Sequence, residues 1–444
     1  MNKIPCVTLI DAGTDNEKLC ASAARISTTA GDAASIFAQP VETQKDRRLL
    51  AKVLLSGHRS LLEHAKFTFA FSNVSVLVEQ FLIEFRLASF TIKSRRYVDF
   101  SQSGYYLPPE LTPENRDLFC HHVDYLFAVY QDLVARGIPL EDARFVLPYC
   151  FCSNFYFSVN ARELVRLLRA IKYGRGRSIL ELAEIYRQMV AQIEAVFPNL
   201  LREITPEPDD AARESACRFD RLPAEAAATE GGGALISYTR DAGAVLGAAQ
   251  TLLEQGRHGE GAVAPPLWER LSPRVLEHFN ATFIIREVSL AALTHFARHR
   301  MQALVVPPLQ RVHLDRFVLP ASVAAKPEIE RLYRDVFAQN LKTIQTLREK
   351  SFPQELYLCL SGNTLDLITT MNARQYQLFF NLRCCRRAQW EIQNIATEML
   401  FALRAVQPEL FNRMGPSCYP DAPCPEGKLS CGQAAAVNES FCCG

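Results

Sequence analysis

Several things are missing from this sequence, and each absence removes a class of protein. No apolar run reaches the roughly 18 residues that a membrane-crossing helix needs, so no membrane span is expected. The stretch from Met1 to Asp11 has no basic segment followed by an apolar one, and no secretory signal is read there. Neither charge is in excess. The 49 Lys and Arg stand against 48 Asp and Glu, which provides no global field for nucleic acid or an anionic membrane. Gly-x-Gly-x-x-Gly and the P-loop pattern are both absent, so the common nucleotide-binding folds have no support. A largely disordered chain is excluded by 48% hydrophobic residues with 10% aromatics. The 14 cysteines fall mostly inside apolar segments, as at Cys150, Cys152, Cys359, Cys384 and Cys385. That placement predicts small buried thiols in a reducing, cytoplasmic setting.

What the chain does contain is a repeat. Glu63-His64 precedes Val74-Ser75 and then Glu84-Phe85-Arg86, while Glu277-His278 precedes Val288-Ser289 and then Arg298-His299-Arg300. The pairs Glu63 with Glu277, Ser75 with Ser289 and Arg86 with Arg300 share one offset of 214 residues. Asn160-Ala161-Arg162 and Asn372-Ala373-Arg374 repeat at 212. Matching order with so small a drift indicates a duplicated unit.

Hydrophobic spacing predicts the same elements in each copy. Copy 1 reads as a strand at 7–10, helices around 17–25 and 47–55, and a strand at 67–71. It continues with a helix over 74–85, a strand at 105–107, helices over 113–135 and 141–150, a strand at 154–159, and helices over 161–170 and 178–196. Copy 2 gives strands at 281–285, 316–319 and 365–371, with helices over 289–298, 329–349 and 373–406. The expected fold class is therefore α+β: two tandem homologous units, each with helices packed around a small mixed or antiparallel sheet. Pro206, Pro208 and Asp209-Asp210 mark the join, which places copy 1 at 1–210 and copy 2 at 211–415. Ile236-Ser237 aligns with Ile26-Ser27, which puts Gly231-Gly232-Gly233 inside copy 2. A Cys, Pro and Gly-rich tail follows at 416–444, read as flexible with free thiols.

The segment from Arg86 to Tyr97 resembles the signature of the flavin-dependent thymidylate synthase family, Arg-His-Arg-x-x-Ser-x-Asn-Glu-x-Ser-x-Arg-Tyr. Copy 1 keeps Arg86, Ser89, Ser94, Arg96 and Tyr97 but has Glu84-Phe85 and Thr91-Ile92 where the family has Arg-His and Asn-Glu. Copy 2 keeps Arg298-His299-Arg300 and loses the rest, with Val306 at the glutamate position. The upstream His-x-Ser-x-x-Glu-His pattern is whole in copy 1 as His58, Ser60, Glu63 and His64. Copy 1 also has the Ala-Arg-x-x-Leu-Pro element at Ala143 to Pro148, including Arg144, whereas copy 2 has Leu356 in place of that arginine. Conversely, copy 2 has Arg383 and Ala388-Gln389-Trp390-Glu391-Ile392, where copy 1 has Ile171 in the arginine's place.

The resemblance implies a homotetrameric flavoenzyme whose sites lie between subunits, here recast as a homodimer of duplicated chains. It implies reductive methylation of dUMP to dTMP, with FAD as cofactor and NADPH and methylenetetrahydrofolate as co-substrates. Nucleotide-binding residues would be Ser94, Arg96, Arg144, Arg298 and Arg383, the last also acting on the reacting pyrimidine. Cofactor-binding residues would be His58, Ser60, Glu63, Asn160, Arg162, Arg298, His299, Arg300, Asn372 and Arg374. Arginine suits such anion sites because its planar fork donates paired hydrogen bonds. The cysteine-dependent thymidylate synthases carry a Pro-Cys-His segment, which is absent here.

Losses divide between the copies in a complementary way, so one competent composite site type and one dead one are expected. Three other readings stay open. Asn160 and Asn372 serve equally as helix caps. Cys418, Cys424 and Cys431 are spaced more widely than common zinc pairs, so no metal is assigned. Finally, a lapsed family member acting as a nucleotide- or flavin-binding structural or regulatory protein would share these motifs.

Overall fold

Phe67, Phe69 and Phe71 alternate with Lys66, Thr68 and Ala70, and a strand of that pattern buries one face. In the computed structural model, which describes residues 2–13, 15–39, 43–206, 232–254, 267–350 and 354–442, this is what they do. The C-terminal part of the expected join, including Pro208, Asp209 and Asp210, lies outside the described residues, as does Gly231.

The first sheet contains β1 (Cys6–Asp11), β2 (Lys66–Ser75), β3 (Ala88–Ile92) and β4 (Cys152–Asn160), all antiparallel, in the order β1-β2-β4-β3. Phe71 stacks on Phe155 of β4 with ring centroids 4.8 Å apart. The exposed edge of β1 is closed by the helix Leu180–Val196. Its Gln188 accepts the Val7 N–H at 2.8 Å, and its Gln192 accepts the Leu9 N–H at 2.6 Å. Side-chain amides thus satisfy an edge that would otherwise pair with another chain.

The second sheet contains β5 (Gly232–Tyr238), β6 (Asn280–Ser289), β7 (Ala303–Val305) and β9 (Asn363–Asn372) in the order β5-β6-β9-β7, with β8 (His313–Phe317) also on β9. It repeats the first sheet in register. Lys66 faces Asn160 and Asn280 faces Asn372, at the two sequence offsets. Thr68 and Ser158 share a hydroxyl hydrogen bond at 2.9 Å, as do Thr282 and Thr370. The bulge recurs too. Asn73 (φ 56°) and Glu287 (φ 53°) both adopt the left-handed conformation, and their N–H groups are accepted by Asn154 and Asp366 at 3.0 and 2.9 Å. With helices around two antiparallel sheets, the fold is α+β and duplicated, as expected.

Two compact units are present: residues 1–219 with 319–361, and 220–318 with 362–444. The helix Pro327–Glu349 belongs to the first unit although the repeat assigns it to copy 2. It packs on its repeat counterpart Pro113–Ala135, where His122 Nε2 lies 2.8 Å from Asn340 Oδ1. Burial pushes the His122 pKa down.

Five sequence expectations need correction. Tyr105 to Leu107 is not a strand; only Tyr105 makes bridges, to Asn2 and Phe151, before Pro108-Pro109 ends the segment. The 141–150 helix shrinks to Leu140–Ala143 and a 3-10 turn Arg144–Val146, because Pro148 holds Leu147 extended. The long 373–406 helix is two, Ala373–Arg383 and Trp390–Val406, because Gln389 starts a new helix by accepting the Ile392 N–H at 3.0 Å. Ile236 is the counterpart of Ile10, not Ile26, since Leu235 faces Phe283 as Leu9 faces Phe69. The tail is folded over its described residues, with Cys418, Val437 and Phe441 buried. Buried Arg404 ties it down, donating to the carbonyl oxygens of Phe441 at 2.7 Å and Met414 at 2.8 Å.

Candidate active site

Each unit holds its share of the expected residues in a separate cluster. In the first unit the motif after β3 turns back at Ser94, whose hydroxyl accepts the Arg96 N–H at 3.3 Å. Arg96 pairs through Nε with the Glu141 carboxylate. Buried Arg144 donates from Nε to the Glu141 carbonyl at 3.0 Å. Glu141 therefore fixes both guanidinium groups, one by its side chain and one by its backbone. Next to this, Glu79 is fully buried and pairs with Arg95 and with the Ser153 hydroxyl.

The His-x-Ser-x-x-Glu-His segment forms a 3-10 turn, Arg59–His64, on the wall of a cleft of about 720 Å³. His58, Ser60, Glu63 and His64 line it together with Ser27, Thr28 and Lys52. Glu63 pairs with Arg162 at 2.5 Å. Asn160 starts that arginine's helix by accepting the Glu163 N–H at 2.9 Å.

In the second unit Glu277 and Arg374 repeat that pair at 2.5 Å, and Asn372 caps its helix through the Gln375 N–H at 2.8 Å. Arg298 and Arg300 are exposed, while His299 between them is buried. Arg383 sits at the end of its helix, half-buried, and donates from Nε to His299 Nε2 at 3.0 Å. Its terminal nitrogen reaches the His295 carbonyl at 3.4 Å. Burial, with the Arg383 charge adding, pushes the His299 pKa down to about 3, so the ring is neutral and can accept.

Thus Ser94, Arg96 and Arg144 come together, as do His299 and Arg383, and the two sets belong to different units. Sequence reasoning missed Glu141, which no family motif marks, and Gln375, whose amide nitrogen lies 3.2 Å from His299 Nδ1. Among the described residues, no group of three or more His, Cys, Asp or Glu is arranged to hold a metal ion.

A family model described as thymidylate synthase complementing protein matches the chain twice, over residues 8–199 and 234–409. The flavin-dependent thymidylate synthase of Geobacter sulfurreducens is 37% identical over 173 residues, spanning 38% of this chain and 74% of that protein. The chain belongs to the flavin-dependent thymidylate synthase family. A second relative of the same description, from Clostridium tetani, is 31% identical over 186 residues and is covered to 74%. A solved UMP/dUMP methylase from Streptomyces cacaoi, bound with 5-Br dUMP, aligns at 23% identity with a TM-score of 0.40 over 46% of this chain and 95% of its own. No helix among the described residues is long and apolar enough to cross a membrane.

Membership makes this a thymidylate synthase-type enzyme whose family cofactor is a flavin. The copy 1 cleft fits such a group. Its volume lies in the range of small-molecule sites, and its hydroxyls, imidazoles and Lys52 are donors of the kind a phosphate-bearing cofactor needs.

Proposed function

We propose that this duplicated flavin-dependent thymidylate synthase carries out reductive methylation of dUMP to dTMP, with methylenetetrahydrofolate and NADPH as co-substrates. Its site is composite: Arg298 and Arg383 come from one copy, and Ser94, Arg96 and Arg144 from the other. The observation that carries the reading is Arg383, whose guanidinium is held by His299 and the His295 carbonyl before any ligand arrives. A guanidinium fixed in advance loses little freedom on binding and can face the pyrimidine as charge builds on its carbonyl edge. Arg96 and Arg144, oriented by Glu141, hold the phosphate. His58, Ser60 and Glu63, with Arg162, Asn160 and their copy 2 counterparts Asn372 and Arg374, hold FAD, aided by Arg298, His299 and Arg300. Bound and reduced, FAD supplies the hydride; the protein binds, orients and excludes water. Two chains, each standing in for two subunits, form a homodimer.

Rescue of a thymidine-requiring host tests this. The chain should rescue, and Arg383→Ala should not while remaining folded. Loss of one charge-assisted contact costs roughly 1.5–3 kcal/mol in binding. Arg86→Ala should matter less, since copy 1 has Glu84-Phe85 where the family has the Arg-His that precedes this arginine. No rescue with stoichiometric FAD would point to a different pyrimidine, because Ile92 and Val306 stand where the family has a carboxylate. No rescue and no flavin would favour a lapsed enzyme kept for a structural or regulatory role.

A further inference from the structure

The arginine expected to orient the pyrimidine does not stand alone. It ends a chain of three side chains in the second unit: Gln375, His299, Arg383. The middle ring is buried, with the edge of Phe379 packed against it at a centroid distance of 5.0 Å. Arg383 can only donate, so His299 Nε2 must accept, and a neutral imidazole then carries its proton on Nδ1. Nδ1 faces the buried amide of Gln375. The two ends of that amide exchange by rotation about its last bond, and a proton on Nδ1 selects the oxygen.

The duplication supplies an internal comparison. The copy 1 counterparts of Gln375, His299 and Arg383 are Glu163, Phe85 and Ile171. Phe85 and Ile171 are buried apolar residues, and Glu163 turns to Arg166 at 2.6 Å. All three positions have changed together. If His299 were only filler, nothing would tie its loss to that of the arginine and the amide. A Phe cannot accept from a guanidinium, so once the arginine is gone neither the imidazole nor its amide partner has a task.

We propose that Gln375 and His299 are positioning residues for Arg383: the Gln375 carbonyl fixes the Nδ1–H tautomer of His299, and the unprotonated Nε2 then holds the guanidinium in its nucleotide-reading orientation. The tautomer lock stands on geometry within one unit. Its effect on substrate rests on the reading that this protein binds dUMP.

Histidine-selective 15N NMR of the full chain, with His299 assigned by loss of its signals in His299→Gln, reads the lock directly. The expected ring is neutral, protonated on Nδ1 and bare on Nε2, at every pH near neutrality. A proton on Nε2, or an imidazolium, would overturn the proposal. Calorimetry with dUMP reads the consequence. Gln375→Met leaves Nδ1–H without an acceptor and should raise the dUMP Kd about three- to tenfold. An affinity within about twofold of the parent would count against the proposal, since one lost buried hydrogen bond is worth more than that.

Gln375→Glu provides a signature that mere packing would not. Among the described residues, the charge acting on the ring is that of Arg383. A carboxylate opposite Nδ1 raises the affinity of the ring for a second proton, and the resulting Nε2–H opposes the Arg383 N–H. The variant should therefore lose dUMP affinity as pH falls, with an imidazolium appearing in the NMR over the same range. A pH profile parallel to that of the parent would refute the lock. If the parent chain does not bind dUMP at all, the functional reading falls, while the tautomer measurement still decides this inference.

Discussion

Glu181 accepts the Ser75 backbone N–H at 2.7 Å, deep inside the first unit, and Glu391 accepts the Ser289 N–H at the same distance in the second. Both serines start a helix at the end of a long strand, so each carboxyl clamps a strand-to-helix corner. Each carboxyl also takes its serine's side chain, at 2.5 Å for Glu391 and Ser289, and Glu181 accepts the Tyr357 hydroxyl as well at 3.3 Å.

Burial pushes the Glu181 pKa up to about 7 against these hydrogen bonds. The folded chain keeps the acid largely neutral until the pH approaches 7, whereas an unfolded glutamate ionises near 4.5. A pKa raised on folding favours the folded state at low pH. This contribution is complete below about pH 4.5, shrinks as pH rises, and is gone above about 7. It is worth up to about 3 kcal/mol. Glu181→Gln keeps one acceptor for Ser75 and one donor for Tyr357 but cannot ionise. Urea unfolding across this window should show that part of the slope in the parent and not in the variant. Equal slopes would mean that Glu181 is already ionised when folded.

Glu141 predicts a coupling between binding and one ion pair. Its pair with Arg96 is largely shielded, at 19% and 21% exposure, so Glu141→Ala should cost roughly 1.5–3 kcal/mol of stability. Arg144 keeps its bond, because that runs to the backbone carbonyl. Affinity for dUMP should still fall about three- to tenfold, as Arg96 loses the carboxylate that orients it. Adding Arg96→Ala should bring little further loss, which a double-mutant cycle measures as strong coupling. Additive losses would mean that Glu141 does not act through Arg96.

The repeat was legible because the features that carry it are local. Strand alternation at Phe67, Phe69 and Phe71, the caps Asn160 and Asn372, and the paired Glu63 and Glu277 all declare themselves within a few residues. Apolar spacing misleads where a distant or single residue decides. Pro148 cuts short a helix that the apolar spacing continues, and Gln389 restarts one by its side chain. The clusters were half-visible for the same reason. Family motifs mark Arg96, Arg144 and Arg383, which would touch a nucleotide, and His299, which holds Arg383. They did not mark Glu141 or Gln375, whose part is to hold those residues and which only the fold brings near.

The two asparagines should behave as caps whatever they do for a cofactor. Each accepts the N–H three residues on, at 2.9 Å for Asn160 and 2.8 Å for Asn372. Replacement by Ala should cost about 1 kcal/mol at either site, and replacement by Asp very little. By contrast, Arg162 and Glu63 pair at half exposure, so Arg162→Ala should change stability by roughly 0.5 kcal/mol at most. If Arg162→Ala nonetheless lowers flavin content in the purified protein, the loss belongs to the ligand and not to the fold. A large fall in unfolding midpoint for Arg162→Ala would reverse that conclusion.

The tail should prove to be part of the second unit's core. Arg404, 6% exposed, has its guanidinium enclosed by carbonyl oxygens of Phe411, Met414 and Phe441, with the rings of Phe401, Tyr419 and Phe441 within 5.9 Å. A buried cation enclosed in this way draws solvation from these dipoles. Deleting residues 416–444 removes the Phe441 carbonyl and two of the rings and leaves Arg404 short of acceptors. The expected cost is roughly 2–4 kcal/mol, seen as a lowered unfolding midpoint and faster proteolysis within the second unit. Arg404→Lys should fall between parent and deletion, because an ammonium keeps the charge but cannot span three carbonyls with a planar fork. If the deletion unfolds at the parent's midpoint, the tail is an appendage and the enclosure of Arg404 contributes nothing to stability.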